Sequence, residues 1–277
     1  EPLNIIGLNR AVPALLKEDV EVIGVGEVGG WKDGDIATMG TPFTQFTKRL
    51  LQKLIPATYT APTSSLGISV TGNREIGSTY NVSLTPVFNQ NDGGVISSVV
   101  FKRDGVIIHT QPDLSVFSDL NRITQPGGNN YSVEIFYEQG TVKNDNFGNP
   151  SPVGQIQAGS TSANVSYNGL YYNWYGSDTD APATGVEVRT LTPTFNNSFT
   201  LNTGSVNMAF VIAIPSTKNL SSVIDQDALN VDLTSSYVLS GISTVPDAQG
   251  NPVSYKVYIM EISTPYSSNH RHLVTIS

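Results

Sequence analysis

The stretch Tyr131–Glu138 reads Tyr-Ser-Val-Glu-Ile-Phe-Tyr-Glu, and apolar side chains occupy every second position from Tyr131 to Tyr137. Successive side chains of a β-strand point to opposite faces, so Tyr131, Val133 and Ile135 share one face and the serine and glutamates share the other. The pattern predicts a half-buried strand with one side against a hydrophobic core.

Short runs of strand length recur along most of the chain. Val95–Phe101 and Val106–His109 flank Arg103-Asp104-Gly105, which is typical of a tight β-hairpin turn. In the C-terminal half, Met208–Ile214 and Ser254–Ile262 are apolar runs of the same type. Many short strands separated by turn residues predict a mainly β fold with two β-sandwich domains, immunoglobulin-like or jelly-roll-like.

The predicted domain organisation has three parts. A chain of 277 residues is long enough for two domains and a smaller segment. We expect an N-terminal attachment segment at residues 1–57, a first β-sandwich at 58–160 and a C-terminal β-sandwich at 161–277. A turn-rich loop, Lys143–Pro152, lies between the two halves.

One amphipathic helix is predicted in the attachment segment, at residues 41–55. Thr41 is a favourable N-cap, Pro42 suits the first helical position, and Pro56 ends the pattern. The apolar stripe consists of Phe43, Phe46, Leu50, Leu51 and Leu54. Because a short helix with one apolar stripe is not stable alone in water, we expect this stripe to be an oligomer or attachment interface.

Composition and charge exclude several classes of protein. The chain has no cysteine, which excludes disulfides and thiolate metal sites, and its net charge of −8 does not suggest a nucleic-acid partner. No apolar run approaches the roughly 20 residues of a membrane helix, so membrane insertion is not expected. Charged residues make up only 14% of the chain. This polar but weakly charged composition is more typical of an extracellular or virion β protein than of a cytosolic enzyme.

Two of the three histidines, His270 and His272, are one residue apart near the C-terminus. On a strand they would point to the same face and present two imidazoles to one metal ion. In a trimer, six such nitrogens would suit a first-row transition metal. The alternative is a polar pair on a terminal strand, and we favour it because no other histidine lies nearby in the sequence. We therefore predict no metal and no other cofactor.

Acidic residues occur close together at three places. These are Asp178 with Asp180, Asp225 with Asp227, and Glu27 with Asp33 and Asp35. Paired carboxylates can hydrolyse glycosides or bind calcium. Each group here sits among serine, threonine, asparagine and glycine, so we interpret all three as solvated turn residues. The loop Asn144–Asn149 also carries oxygen ligands, but it lacks the spacing of a known calcium loop.

Motifs of other enzyme classes are weak or missing in the sequence. There is no Gly-x-Ser-x-Gly nucleophile motif. Gly24–Gly29 matches the letters of a dinucleotide-binding loop, but the residues after it do not predict the helix that such a loop requires. These motifs therefore supply no candidate catalytic residue.

An aromatic cluster follows Tyr167, in the stretch Tyr-Asn-Gly-Leu-Tyr-Tyr-Asn-Trp-Tyr. Its candidate residues are Tyr171, Tyr172, Trp174 and Tyr175. Aromatic side chains in such density can stack on sugars or fill a protein interface. They are equally typical of a core strand, and the sequence alone leaves both interpretations open.

Several segments together resemble a known family. They are Pro56–Pro62, Asn89–Gly94, Tyr137–Ile156, Phe210–Asn230 and Ser254–Ser277. In combination they are similar to virion structural proteins of tailed bacteriophages, which are described as tail or head fibre proteins and include those of phages of Bacteroidetes bacteria. The resemblance extends over residues 20–277.

The resemblance implies a non-enzymatic fibre or appendage protein that assembles symmetrically on the particle. We accordingly expect a homo-oligomer, a trimer in particular, that contacts other virion proteins and the glycans of a host surface. The expected location is the virion, after synthesis in the cytoplasm of the bacterial host. No catalytic residue of the family can be carried over to this chain.

Two other classes of function are kept as alternatives. The first is a carbohydrate-binding module or bacterial surface adhesin, which the aromatic cluster would serve. The second is a glycan depolymerase, which would need Asp178 with Asp180, or Asp225 with Asp227, to converge in a cleft.

Overall fold

A computed structural model describes residues 15–21, 31, 34–178 and 185–277. The fold is mainly β, with 50% of residues in strands and 7% in helices, as expected for the β-sandwich class. Two compact units can be distinguished. The first contains the described residues of Glu1–Thr63 with Phe88–Ser97 and Ile135–Thr161, and the second contains Ser64–Val87, Ser98–Glu134 and the described residues of Ser162–Ser277. The domain boundaries inferred from the sequence stay a prediction.

The described residues of the N-terminal part form two short strands and a helix. The strands are β1 (Val20–Glu21) and β2 (Ile36–Ala37), which pair antiparallel. The helix α1 (Phe43–Leu51) has nine residues and follows Pro42, which occupies the N-cap position.

Eight strands follow α1. They are β3 (Thr63–Ile68), β4 (Asn73–Glu75), β5 (Thr79–Asn89), β6 (Ile96–Arg103), β7 (Val106–Gln111), β8 (Phe117–Ile123), β9 (Asn129–Tyr137) and β10 (Gly159–Leu170). They form a three-stranded sheet of order β3-β5-β8 and a five-stranded sheet of order β4-β10-β9-β6-β7. The strand β9 buries Tyr131, Val133 and Ile135, as its alternating sequence predicts. Asp104 and Gly105 have positive φ angles of 50° and 83°, which a tight hairpin turn between β6 and β7 requires.

The C-terminal part contains nine more strands and a second, short helix. They are β11 (Asn173–Asp178), α2 (Gly185–Val188), β12 (Thr192–Thr194), β13 (Ser198–Asn202), β14 (Ala209–Pro215), β15 (Leu220–Asp225), β16 (Val231–Asp232), β17 (Val238–Pro246), β18 (Pro252–Glu261) and β19 (Arg271–Ile276). They form a five-stranded sheet of order β12-β11-β14-β18-β17 and a four-stranded sheet of order β13-β19-β15-β16.

The central strand of the C-terminal five-stranded sheet is β14, and all seven of its residues are buried. Phe210, Ile212 and Ile214 pack in a core shared with the four-stranded sheet, including Val223 and Val274. The alternate residues of β14 pack into a second core on the opposite face of the sheet, with Trp174, Val188, Tyr255 and Val257. A strand that is buried on both faces needs apolar residues at every position, which explains the uninterrupted run in the sequence.

The helix α1 is shorter than the predicted range 41–55 because a loop side chain binds the backbone that would continue it. The Asn146 side chain accepts a hydrogen bond from Ile55 N–H at 2.9 Å and donates one to the Lys53 carbonyl at 3.1 Å. The Ala57 N–H donates to the Ser151 hydroxyl at 2.9 Å. The turn-rich loop therefore holds the residues after Leu51 in an extended conformation.

Two loops share the sequence Asp-x-x-Gly-Asn-Pro, at Asp145–Pro150 and Asp247–Pro252, and they adopt the same turn. In each, one aspartate carboxylate oxygen accepts the backbone N–H groups two and four residues later, at 2.8–3.0 Å. The glycine has a φ angle of 87° in the first loop and 84° in the second, which favours glycine over other residues. Both aspartates are buried, and in each of them one carboxylate oxygen is hydrogen-bonded within the turn.

Within the second unit, Arg189 joins the segment after α2 to β4. Its guanidinium donates to Glu75 Oε1 at 2.6 Å and Oε2 at 3.3 Å, and to the Pro246 carbonyl at 2.7 Å. The guanidinium also lies 5.1 Å from the ring centroid of Trp174. Hydrogen bonding to Glu75 raises the pKa of Arg189. This bidentate ion pair links strand β4 to the C-terminal five-stranded sheet.

We expect a double-mutant cycle on Glu75→Gln and Arg189→Gln to give a coupling free energy of roughly 0.5–3 kcal/mol. The measurement is the free energy of unfolding in urea for the wild type, both single variants and the double variant. The Lys102–Glu134 pair, with one contact of 2.8 Å between half-exposed side chains, is the matched control. Its coupling should be about 0.2–1 kcal/mol. A coupling for Glu75 and Arg189 no larger than that of the control would contradict the assigned role.

Candidate functional site

The apolar stripe of α1 is left largely uncovered. Phe43, Leu50 and Leu51 are 51%, 42% and 82% exposed, and none of the residues of α1 is buried. Phe46 and Leu54 are half-buried. Of the five residues predicted as an interface, three are thus exposed and two are half-buried.

The side of α1 that does pack uses aromatic and cationic side chains. The rings of Phe46 and Trp31 have centroids 5.6 Å apart, and the Arg49 guanidinium lies 4.0 Å from the Trp31 ring centroid. Phe147, from the turn-rich loop, is a further aromatic neighbour of Arg49 at 5.4 Å. These contacts anchor α1 through Phe46 and Arg49 and leave Leu50 and Leu51 free of such packing.

The aromatic cluster after Tyr167 is largely occupied with packing inside the chain. Trp174 is buried in the core that includes Val188, and Tyr171 and Tyr172 pack against that core. Tyr172 stacks on Phe195 with a centroid distance of 4.2 Å. Tyr175 stacks on Phe199 at 4.4 Å. Burial raises the pKa of Tyr172. Sugar stacking requires an open aromatic face, whereas these rings pack against other residues of the chain.

His270 and His272 both face Asp225, at the end of β15. His270 Nδ1 lies 2.7 Å from Asp225 Oδ2, and His272 Nε2 lies 3.9 Å from the same oxygen. His270 stacks on Tyr266 with a centroid distance of 4.2 Å. The pair therefore belongs to a partly buried polar cluster at the junction of β15 and β19.

His272 is fully buried within this cluster, and its ring has one hydrogen-bond partner. Its Nδ1 lies 2.8 Å from the Tyr237 hydroxyl, and its Nε2 has no partner among the described residues. Burial raises the pKa of Tyr237, so its hydroxyl stays protonated and can donate a hydrogen bond to His272 Nδ1. Burial also lowers the pKa of His272, which favours the neutral imidazole.

Asp225 and Asp227 hold different partners instead of converging on one position. Asp225 faces the two histidines, whereas Asp227 accepts hydrogen bonds from Arg271 Nη2 at 2.8 Å and Nε at 3.0 Å. Hydrogen bonding to Arg271 lowers the pKa of Asp227. Each carboxylate is thus engaged by a residue at the start of β19.

The remaining sequence candidates are described only in part. Asp35 lies 3.9 Å from Arg49, while Glu27, Asp33, Asp180 and the side chain of Asp178 lie outside the described residues. The loop Gly24–Gly29 also lies outside them.

Among the described residues, no group of three or more histidine and carboxylate side chains could hold a metal ion. No helix in these residues is long and apolar enough to cross a membrane.

Comparison with known proteins gives no relative. No protein-family model, no curated protein and no solved structure matches this chain. The site must therefore be interpreted from its own geometry.

We expect the His272 environment to make the fold acid-sensitive. The pKa of His272 is lowered in the folded chain, so the unfolded chain binds the proton more readily and protonation favours unfolding. The contribution of neutral His272 to stability is complete above the pKa of histidine in the unfolded chain, about 6.5. It is lost as the pH falls toward the lower pKa of His272 in the folded chain. Each unit of difference between these two pKa values corresponds to about 1.4 kcal/mol. The measurement is the free energy of unfolding in urea between pH 7 and pH 5.

The variant His272→Gln should flatten this pH dependence, because glutamine stays neutral and can still accept from Tyr237. His109, which stacks on Phe117 at 4.4 Å, supplies the control variant His109→Gln. That variant should keep the wild-type slope. Equal slopes for the wild type and His272→Gln would show that His272 is not the acid-sensitive group.

Proposed function

We propose that this chain is a non-enzymatic structural protein of a tailed-bacteriophage virion, a fibre or appendage component that assembles with copies of itself through α1. The observation that carries the proposal is the exposed apolar stripe of α1, in which Phe43, Leu50 and Leu51 contribute large apolar side chains to the surface. A nine-residue helix gains its stability from packing, and the described residues of the chain do not cover this stripe. A second copy provides an identical stripe.

The architecture supports a role in assembly rather than in chemistry. The strands from β3 to β10 and from β11 to β19 each form two sheets, and we propose that they are two β-sandwich domains of immunoglobulin-like or jelly-roll-like type. In the described part of the chain, the candidate carboxylates and histidines bind neighbouring side chains and form no open catalytic group. The sequence resemblance to phage fibre proteins points in the same direction.

The proposal includes symmetric packing as a trimer, docking onto other virion proteins and contact with host glycans. Several copies of one chain convert weak individual contacts into firm attachment, which is the advantage of a symmetric appendage. The aromatic cluster of Tyr171–Tyr175 does not favour the carbohydrate-binding alternative, because its rings are engaged in internal packing. The virion role is therefore the one function that we put forward.

The test of self-assembly is the native mass in solution by multi-angle light scattering. We expect a mass near three times the 29.7 kDa of the chain. The double variant Leu50→Ser with Leu51→Ser should lower the mass toward that of one chain, because it removes two apolar side chains from the proposed contact. The matched control is Leu229→Ser, at a loop position that is 98% exposed.

The control variant should keep the wild-type mass. A wild type that is monomeric at high concentration, or a double variant that keeps the wild-type mass, would contradict assembly through α1. The virion role has its own test, which is immunogold labelling of purified phage particles with an antibody against this chain. Label on the particle is expected, and particles without label would refute that role.

A further inference from the structure

The loop between β18 and β19, residues 263–268, is held against the protein by one side chain. No hydrogen bond joins these residues to the rest of the described chain. All of them are exposed except Tyr266, which is half-buried. Tyr266 packs against the core that includes Phe210 and Val274. The loop is therefore attached to the domain surface through the ring of Tyr266.

Hydrogen bonds fix the chain on both sides of this loop. Ile262 N–H donates to the Met208 carbonyl at 2.9 Å, and Asn269 Oδ1 accepts from Gly204 N–H at 2.9 Å. These two points can act as hinges, because the residues between them carry no hydrogen bond that movement would break. Displacement of the loop costs mainly the contacts of Tyr266.

The ring of Tyr266 contacts both histidines at the start of β19. It stacks on His270 with a centroid distance of 4.2 Å, and it meets His272 edge-on at 6.0 Å. Its centroid lies 5.8 Å from that of Phe210. Phe210 and His272 are completely buried. Tyr266 is thus part of the cover that keeps His272 away from water.

The titratable and charged groups around His272 come from several segments of the described chain. They are Asp225 at the end of β15, Tyr237 before β17, Tyr266 in the loop, and His270 and Arg271 next to it in sequence. Arg271 is paired with Asp227 at 2.8 Å. Asp225 Oδ2 lies 2.7 Å from His270 Nδ1 but 3.9 Å from His272 Nε2, which is too far for a hydrogen bond.

This arrangement favours neutral His272 as long as the loop covers it. Burial is the main cause that lowers the pKa of His272, and nearby His270 lowers it further, against the opposing effect of Asp225. Contact with water would remove the main cause. The imidazole therefore binds a second proton more readily when Tyr266 is displaced, and by linkage acid must favour the displaced state.

We infer that residues 263–268 form a lid, anchored by Tyr266, which swings away from His270 and His272 in acid while the rest of the fold stays native. The lid is closed above a pH of about 6.5, where an accessible histidine is neutral, and it opens progressively as the pH falls below that value. This conformational switch goes beyond the proposed function, because it requires neither α1 nor a second copy of the chain.

A spin label on the loop measures the opening directly. The chain has no cysteine, so Ser267→Cys provides a single attachment site for a nitroxide at an exposed position. Its mobility is followed by electron paramagnetic resonance from pH 8 to pH 5, and circular dichroism reports in parallel on the fold. We expect the label to become more mobile below a pH of about 6.5, with an unchanged circular dichroism spectrum. A label at Ser198→Cys, at the exposed start of β13, should show no such change.

The variant His272→Gln tests whether His272 drives the opening. In the protein labelled at position 267, it should abolish the rise in mobility, because glutamine takes up no proton in this pH range. The matched control is His109→Gln, which removes another half-buried histidine and should leave the transition unchanged.

The variant Tyr266→Ala tests the anchor of the lid. The measurement is a pH titration of the histidine Cε1–H signals by NMR, which are assigned with the glutamine variants because the chain has only three histidines. Loss of the ring should raise the measured pKa of His272 toward about 6.5. The control Tyr175→Ala, which removes a half-buried ring stacked on Phe199 at 4.4 Å, should leave that pKa unchanged.

Each of four results would overturn the inference. The first is a label of constant mobility while the circular dichroism stays native. The second is a mobility that rises only together with loss of the circular dichroism signal, because His272 would then be reached only by global unfolding. The third is the same transition in the wild type and in His272→Gln, and the fourth is an unchanged pKa of His272 in Tyr266→Ala. None of these results depends on assembly through α1.

Discussion

The strand β14 is the element on which the C-terminal part of the molecule depends. Its seven buried residues face two cores, one shared with the four-stranded sheet and one that includes Val188 of α2. A strand with apolar side chains on both faces must be covered on both faces, so β11 and β18 on its two edges and the layers above and below it are all required. The ion pair of Arg189 with Glu75 depends on the same arrangement, because Arg189 directly follows the helix that helps to cover β14.

Strands were the most predictable feature, because their signal is local. The alternation at Tyr131–Tyr137 predicts a half-buried strand from the two-residue period alone. The apolar run ending at Ile214 predicts a central strand that is buried on both faces. The end of α1 was not predictable in the same way. Asn146, nearly a hundred residues later, takes the hydrogen bonds of Lys53 and Ile55, and no pattern within residues 41–55 contains that information. The shared turn of the two Asp-x-x-Gly-Asn-Pro loops was likewise not predicted, although both copies of the motif stand in the sequence.

The polar cluster around His272 could be predicted only in part. Strand periodicity places His270 and His272 on one side, but their partners Asp225 and Tyr237 come from other elements. Burying a histidine costs free energy unless its nitrogens are hydrogen-bonded, and here Nδ1 has a partner while Nε2 faces Asp225 at 3.9 Å. The same cluster shows what the two carboxylates contact. Asp225 faces the histidines and Asp227 binds Arg271, so the two do not converge on one position.

Two apolar surfaces that are exposed in the described part of the chain differ in their backbone hydrogen bonding. A helix satisfies its own backbone hydrogen bonds, so a partner of the α1 stripe needs to supply only apolar side chains. Such a contact is compatible with several symmetries. The edge of β17 differs in that it also exposes backbone N–H and C=O groups, which pair with a strand of either direction. The apolar stripe by itself therefore does not fix the number of copies in the proposed assembly.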